Sequence, residues 1–228
     1  MNELNQIKDL LARCTFEERR DIFKHLRSEF RIHPIEDELN VQAEVILEAI
    51  HKASDLTLRG IRGVIAEAYF QMTIASAITG WKIIPTSGDP PYDCLLSDGN
   101  NQVRIQVKMQ RLKEHRPMMA NQAYRRLPSD KYVVETQRTR GGVDPTTGLS
   151  TRPYRFGDFD LLAVSLHPST GDWSKFLYTV ERWLIPSSER TDCLLKFQPV
   201  PLQANSDWTG DLKTAIEWFL SKVNKTID

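Results

Sequence analysis

The tetrapeptide Asp98-Gly99-Asn100-Asn101 places the strongest constraint on what this chain can become. It concentrates three kinds of turn residue between two apolar runs, the pattern that closes a β-hairpin. The preceding run, 92–97, is Tyr-Asp-Cys-Leu-Leu-Ser, and the following run, 102–109, is Gln-Val-Arg-Ile-Gln-Val-Lys-Met. In the second run Val103, Ile105, Val107 and Met109 alternate with Gln102, Arg104, Gln106 and Lys108. A period of two puts the first set on one face of a strand and the second on the other. The apolar face then needs a cover, and the flanking sequence offers helices.

Residues 3–56 read as helical. Thr15 followed by Glu18 forms a capping box, and Phe16, Ile22, Phe23, Leu26 and Phe30 form an apolar stripe that ends at His33-Pro34. A further helix is expected over 39–53. Glu36, Asp37, Glu38, Glu44 and Glu48 suggest a solvated helical face or a dimer surface. A longer helix is expected over 57–79, capped by Asp55 or Thr57 and ended by Gly80, apolar on almost every side from Val64 to Ile78 and therefore buried. Glu67 interrupts it, and a buried acid needs a partner or a metal. Further strands are expected at 81–85, 131–136, 160–166 and 175–180, a short helix at 118–126, a long polar loop at 137–157, and a closing helix at 207–224. Helices, a mixed sheet and a closing helix make an α/β fold with one helical flank. The domain reading is a helical region over 1–56 and an α/β domain over 57–228.

Several classes of function leave no trace. No apolar run approaches the roughly 18 residues that span a bilayer, and the first residues do not resemble a signal peptide. Cys14, Cys94 and Cys193 are odd in number and widely spaced, which suits packed thiols in a reducing cytoplasm better than disulfides or zinc. The five histidines lack metal spacing, and no phosphate-cradling or dinucleotide-binding glycine motif occurs, so no nucleotide cofactor is expected. Trp173, Trp183, Trp208 and Trp218 read as core packing rather than base-stacking platforms.

The hairpin itself carries the chemistry. Asp93 starts one strand, and Gln106 and Lys108 share a face of the other, so the turn brings the three together. A carboxylate, an amide oxygen and an ammonium at one spot suit Mg²⁺-assisted attack of water on a phosphodiester. The backbone carbonyl of Val107 adds a hard oxygen donor, and Lys108 can orient the water or stabilise developing charge. Glu67 admits two readings, a second metal carboxylate or a structural ion pair with Arg59 or Arg62. Asp158 and Asp160 read as caps at the start of a strand.

Pro91-Tyr92-Asp93 followed by Gln106-Val107-Lys108 resembles the PD-(D/E)XK nuclease motif, and most of all that of type II restriction endonucleases. The stretch from Gly60 to Glu67 resembles the core helix that donates a glutamate in many members, and Arg155 to Val164 resembles a later core strand. The resemblance covers residues 58–182. It implies a restriction-endonuclease-like core of a mixed central sheet flanked by helices, with an N-terminal helical extension. It also implies Asp93 as the central metal ligand, Gln106 and Glu67 as secondary ligands, and Lys108 as the catalytic lysine. Two departures stand out: Gln106 replaces the usual acid, removing a negative charge, and Tyr92 separates the proline from the aspartate.

Charge placement bears on the partner. The chain has 30 basic and 30 acidic residues, so its formal net charge is zero. Residues 101–155 hold 12 bases and 4 acids, and the remainder is correspondingly acidic. A basic face steers and neutralises phosphates whatever the total. Within it, Arg111, Gln137, Arg138, Arg140, Arg152, Tyr154 and Arg155 are the expected DNA contacts, most of them in the loop 136–157. The resulting expectation is a Mg²⁺-dependent, site-specific endonuclease acting on double-stranded DNA as a homodimer. The alternatives are a repair, nicking or modification-dependent nuclease, an inactive DNA-binding protein, and an interaction module without nucleic acid.

Overall fold

The computed structural model describes residues 2–227 except 139, 140, 144, 147 and 149. The chain divides into two compact units, residues 1–58 and 59–228. No helix among the described residues is long and apolar enough to cross a membrane.

The first unit contains α1 (Glu3–Arg13), α2 (Phe16–Glu29), α3 (Ile35–Glu38) and α4 (Ala43–His51). The capping box forms: Glu18 N–H donates to Thr15, and Thr15 N–H donates to the Glu18 carboxylate at 2.7 Å. Glu36 departs from the expected solvated acidic face. It is fully buried and accepts hydrogen bonds from the Arg27 guanidinium (2.6 Å) and from the N–H groups of Ile32 (2.6 Å), His33 (3.1 Å) and Ala43 (2.7 Å). One carboxylate thus satisfies the donors of a chain reversal between α2 and α4, which is why an acid is tolerated there. It is the only buried residue among those described in this unit.

The second unit is built on a five-stranded mixed sheet in the order β1-β2-β3-β7-β8. Its strands are β1 (Lys82–Ile83), β2 (Cys94–Ser97), β3 (Gln102–Met109), β7 (Leu161–Ser165) and β8 (Phe176–Val180). β2 and β3 pair antiparallel across the expected turn, with Cys94 opposite Ile105 and Ser97 opposite Gln102. The Asp98 side chain accepts from Asn100 N–H (2.8 Å) and Asn101 N–H (2.6 Å), and Gly99 takes a positive φ of 95° that suits glycine. β3 pairs parallel with β7, and β7 antiparallel with β8. Every residue of the interior strand β7 and of the edge strand β8 is buried, so both are covered on both faces.

α5 (Asp55–Tyr69) supplies cover from one side: Ala66 is buried, and beyond the helix Phe70 packs against the rings of Phe176 and Tyr178 at 5.7 and 6.3 Å. The expected single helix to residue 79 is not what forms. It widens into a π-helical turn at Phe70–Ile74 and tightens to a 3₁₀ turn at Ala75–Ala77. Nor is it buried all round, since Val64, Ile65 and Met72 are exposed. α8 (Leu212–Leu220), capped by the Asp211 side chain on Thr214 N–H, buries Leu212, Ala215 and Ile216 near β7 and β8. Leu220 and Val223, expected on its apolar side, are exposed. Trp183 and Trp208 are core residues, as read from sequence, and all three cysteines are free.

Further elements lie between β3 and β7, between β7 and β8, or after β8. They are the β4 (Leu112–Lys113)–β5 (Arg116–Pro117) hairpin, the single turn α6 (Ala120–Ala123), α7 (His167–Thr170), and a separate pair of β6 (Tyr132–Glu135) with β9 (Phe197–Val200). The segment expected as a structureless loop, 137–157, carries antiparallel bridges Gln137–Pro153 and Val143–Ser150.

Asp160 and Glu181 brace the start of β7. Asp160 accepts from the N–H (2.7 Å), Nε (3.0 Å) and Nη2 (2.7 Å) of Arg104 and so fastens β3 to β7, while Asp158 accepts from Arg155 N–H (3.0 Å). Glu181 is buried and accepts from Gly157 N–H at 2.7 Å. Burial, and then the nearby Asp160 and Asp158 charges, push its carboxyl up to about 7. A raised folded-state pKa means that the folded chain holds a proton the unfolded chain has released. Its stabilising contribution is complete below the ordinary carboxyl value of 4.5 and is lost as pH rises through about 7. Glu181→Gln keeps an acceptor for Gly157 and never ionises. It is expected to stabilise the protein at pH 8 by on the order of 2 kcal/mol and to have no such effect at pH 4.5. Urea unfolding at both pH values measures the difference.

Candidate active site

The hairpin and the helix α5 build the site. Asp93 stands immediately before β2, and its N–H donates to the Ile105 carbonyl at 3.0 Å, which continues the ladder to the aspartate. Its Oδ2 accepts the Val107 N–H at 2.7 Å and the Gln106 side-chain amide. The carboxylate is thereby clamped to the backbone of the neighbouring strand. A second clamp comes from the π-helical turn, where Gln71 Nε2 donates to the Asp93 carbonyl at 2.7 Å. An extra residue in a helical turn rotates the side chains beyond it, and turns of this kind recur at functional sites.

The ionisable groups act on one another. Burial raises Asp93, opposed by Lys108 and by the two donors on its carboxylate. Burial and then the Asp93 charge push Glu67 up to about 7, with Lys108 pulling the other way. Lys108 is pulled down by burial against the attraction of Asp93, Glu67 and Glu135. Two carboxylates, an ammonium and an amide therefore share one partly desolvated place. No ion pair joins Glu67 to Arg59 or Arg62 among the described residues, so the ion-pair reading of Glu67 finds no support there. Perturbation by burial together with specific charge partners is characteristic of reactive centres.

The donor set suits a hard divalent cation. Asp93 and Glu67 repel each other, and a cation between them relieves both. The Gln106 amide now turns its NH₂ toward Asp93 and, at 3.3 Å, toward the Val107 carbonyl. Half a turn about its last torsion would bring the amide oxygen to the same spot. Among the described residues no group of three or more His, Cys, Asp or Glu side chains could hold a metal, so Gln106, the Val107 carbonyl and solvent or substrate oxygens would complete the shell.

The expected DNA contacts fare differently. Tyr154 is buried, its ring lying 5.4 Å beneath Lys108 Nζ and 5.6 Å from the Arg138 guanidinium. It supports the lysine from below. Arg111 pairs with Glu135 at 2.7 Å, Arg138 with Asp158 at 3.4 Å, and Arg155 approaches Asp192 at 3.9 Å. Arg152 reaches the Arg138 carbonyl at 3.4 Å, Gln137 is half-buried, and Arg140 lies outside the described residues. Sequence reasoning missed Gln71, Glu135 and the supporting role of Tyr154. Only contacts distant in sequence, with Lys108, reveal Glu135 and Tyr154, and the π-turn that aims Gln71 has no signature of its own.

No protein-family model matches the chain, and no curated protein matches it. Among solved structures the chain is similar to the bacterial homing endonuclease I-Ssp6803I, at 17% identity and a TM-score of 0.38, over 74% of this chain and 93% of that one. At that level of likeness the functional reading stands on the site alone.

Proposed function

We propose that the chain is a nuclease of the PD-(D/E)XK kind that hydrolyses phosphodiester bonds in double-stranded DNA with Mg²⁺. Within that class it acts as a site-specific endonuclease of the type II restriction kind, as a homodimer. The observation that carries the reading is the Asp93 carboxylate, locked to β3 by Val107 N–H and Gln106, with Lys108 and Glu67 in its field. Asp93, Glu67, Gln106 and the Val107 carbonyl would hold the cation, which when bound acidifies water and offsets phosphate charge. Lys108 keeps its ammonium near the scissile phosphate, where it favours the charge that develops on attack. Its low-lying ionisation also equips it to hold or release a proton at Nζ. A two-fold dimer places one such centre on each strand. Free thiols fit a reducing, cytoplasmic setting.

Plasmid DNA incubated with the protein and Mg²⁺ tests the reading. Discrete fragments support it, and intact DNA with Mg²⁺ and Mn²⁺ across several substrates overturns it. Relaxed but unlinearised plasmid would select a nicking enzyme. One observation favours a second reading: the Gln106 NH₂ is committed to Asp93. A catalytically inactive DNA-binding protein would show salt-dependent binding and no hydrolysis with any divalent ion.

The clamp from the π-turn gives a further expected result. Gln71→Ala releases the Asp93 carbonyl and should slow cleavage about tenfold, ~1.4 kcal/mol, while raising the Mg²⁺ concentration for half-maximal rate. Metal titrations of the cleavage rate measure both. A slower rate with an unchanged metal requirement would assign Gln71 to general packing.

A further inference from the structure

We propose that the β4–β5 hairpin, together with Arg125 and Arg126, is the surface that grips the phosphates of the DNA duplex. This rests on the nuclease reading and replaces the expected grip by the 136–157 segment. The arginines of that segment and its neighbour Arg111 largely face acids of the same chain, as Arg111–Glu135, Arg138–Asp158 and Arg155–Asp192. An arginine already paired has less to offer a phosphate.

The hairpin presents the opposite case. Lys113 and Arg116 stand directly opposite each other in the two-stranded register, and both are exposed. Like charges across a strand pair repel. No hydrogen bond or ion pair engages either side chain among the described residues, and the same holds for Arg125 and Arg126, exposed just beyond α6. Against these four bases stands Glu114 at the tip, and Asp130 further along the chain. Four cations without internal partners on neighbouring stretches of chain make an anion-binding surface.

The backbone fixes this surface in place. Glu114 and His115 take φ of 51° and 62°, the pair of positive values that a two-residue turn of the tightest hairpins requires. Neither is glycine, so the turn costs conformational energy that the sequence retains. The base of the hairpin is anchored by Arg111 N–H on the Val133 carbonyl (2.8 Å) and Met118 N–H on the Arg111 carbonyl (2.9 Å). An open hollow of about 530 Å³ is lined by Lys113, Glu114, Arg116, Pro117, Met119 and Gln122, and Gln122 joins the hairpin to α6. The hairpin begins three residues after Met109, the end of the strand that holds Lys108.

The test uses duplex DNA and the full-length chain carrying Lys108→Ala, so that binding is read without cutting. Lys113→Gln with Arg116→Gln is expected to weaken binding at least tenfold and to reduce the slope of log affinity against log salt by about 2, roughly 0.9 per lost phosphate contact. Arg125→Gln with Arg126→Gln, made separately, should act in the same direction, which guards against a misfolded hairpin. Arg155→Gln, removing a base that already faces Asp192, should change affinity less than twofold. Unchanged affinity and slope in both double variants, while the parent binds, would overturn the hairpin and leave the nuclease reading intact. No binding by the parent at low salt would remove the nuclease reading and the hairpin with it.

Discussion

Lys108→Ala is expected to slow DNA cleavage about a thousandfold, ~4 kcal/mol of transition-state stabilisation, while duplex affinity stays within a few-fold. The ammonium is desolvated, seated above the Tyr154 ring, and drawn by three carboxylates, Asp93, Glu67 and Glu135. Desolvation strengthens what the charge does to atoms beside it, while the surrounding carboxylates compensate it at a distance. Its removal should therefore show in the chemical step rather than in the encounter with DNA. The variant also leaves Asp93 and Glu67 facing each other without a cation, so their carboxyl groups should rise further. Single-turnover cleavage and equilibrium binding, measured on one preparation, separate the two effects. Retained cutting would move the chemistry away from this hairpin.

Asp160→Ala is expected to destabilise the fold by about 3 kcal/mol, with Asp160→Asn costing less. The carboxylate meets three donors of Arg104, and its side chain is 11% exposed against 36% for Arg104. Alanine strands the Arg104 N–H inside the sheet, whereas the guanidinium can turn partly to water. That partial escape keeps the expected cost below the loss of a fully buried pair. Asparagine preserves an acceptor for the N–H. Urea unfolding at pH 7 checks both, and a change below about 0.5 kcal/mol for alanine, the range of an ordinary surface substitution, would mean that the pair is ornamental.

The parts of the fold dictated locally were legible in the sequence. The turn at 98–101 and the alternation of 102–109 determine β2, β3 and their register, because turn chemistry and side-chain period agree there. The same hairpin brings Asp93, Gln106 and Lys108 together. What escaped is set by contacts distant in sequence. β6 does not join the central sheet but pairs with β9, a strand that Phe197-Gln198-Pro199-Val200 hides behind a proline. The π-turn after α5 breaks a run whose residues are all acceptable in an α-helix. Tyr154 and the arginines around it looked available because composition records charges and aromatics without recording which acids lie opposite them.

The parallel pairing of β3 with β7 also sets an order in time. Asp93 and Val107 are 14 residues apart, so the hairpin half of the site needs only a short loop to close. Arg104 and Asp160 are 56 residues apart, and every hairpin, helix and strand between them must be accommodated before β7 can dock. Refolding should accordingly give early protection of the β2 and β3 amides from hydrogen exchange and late protection of β7. In the interval the edge of β3 is without its neighbour strand, the stage at which chains pair with one another. Aggregation during refolding should thus rise with protein concentration, and a variant with a weakened Arg104–Asp160 fastening should aggregate most.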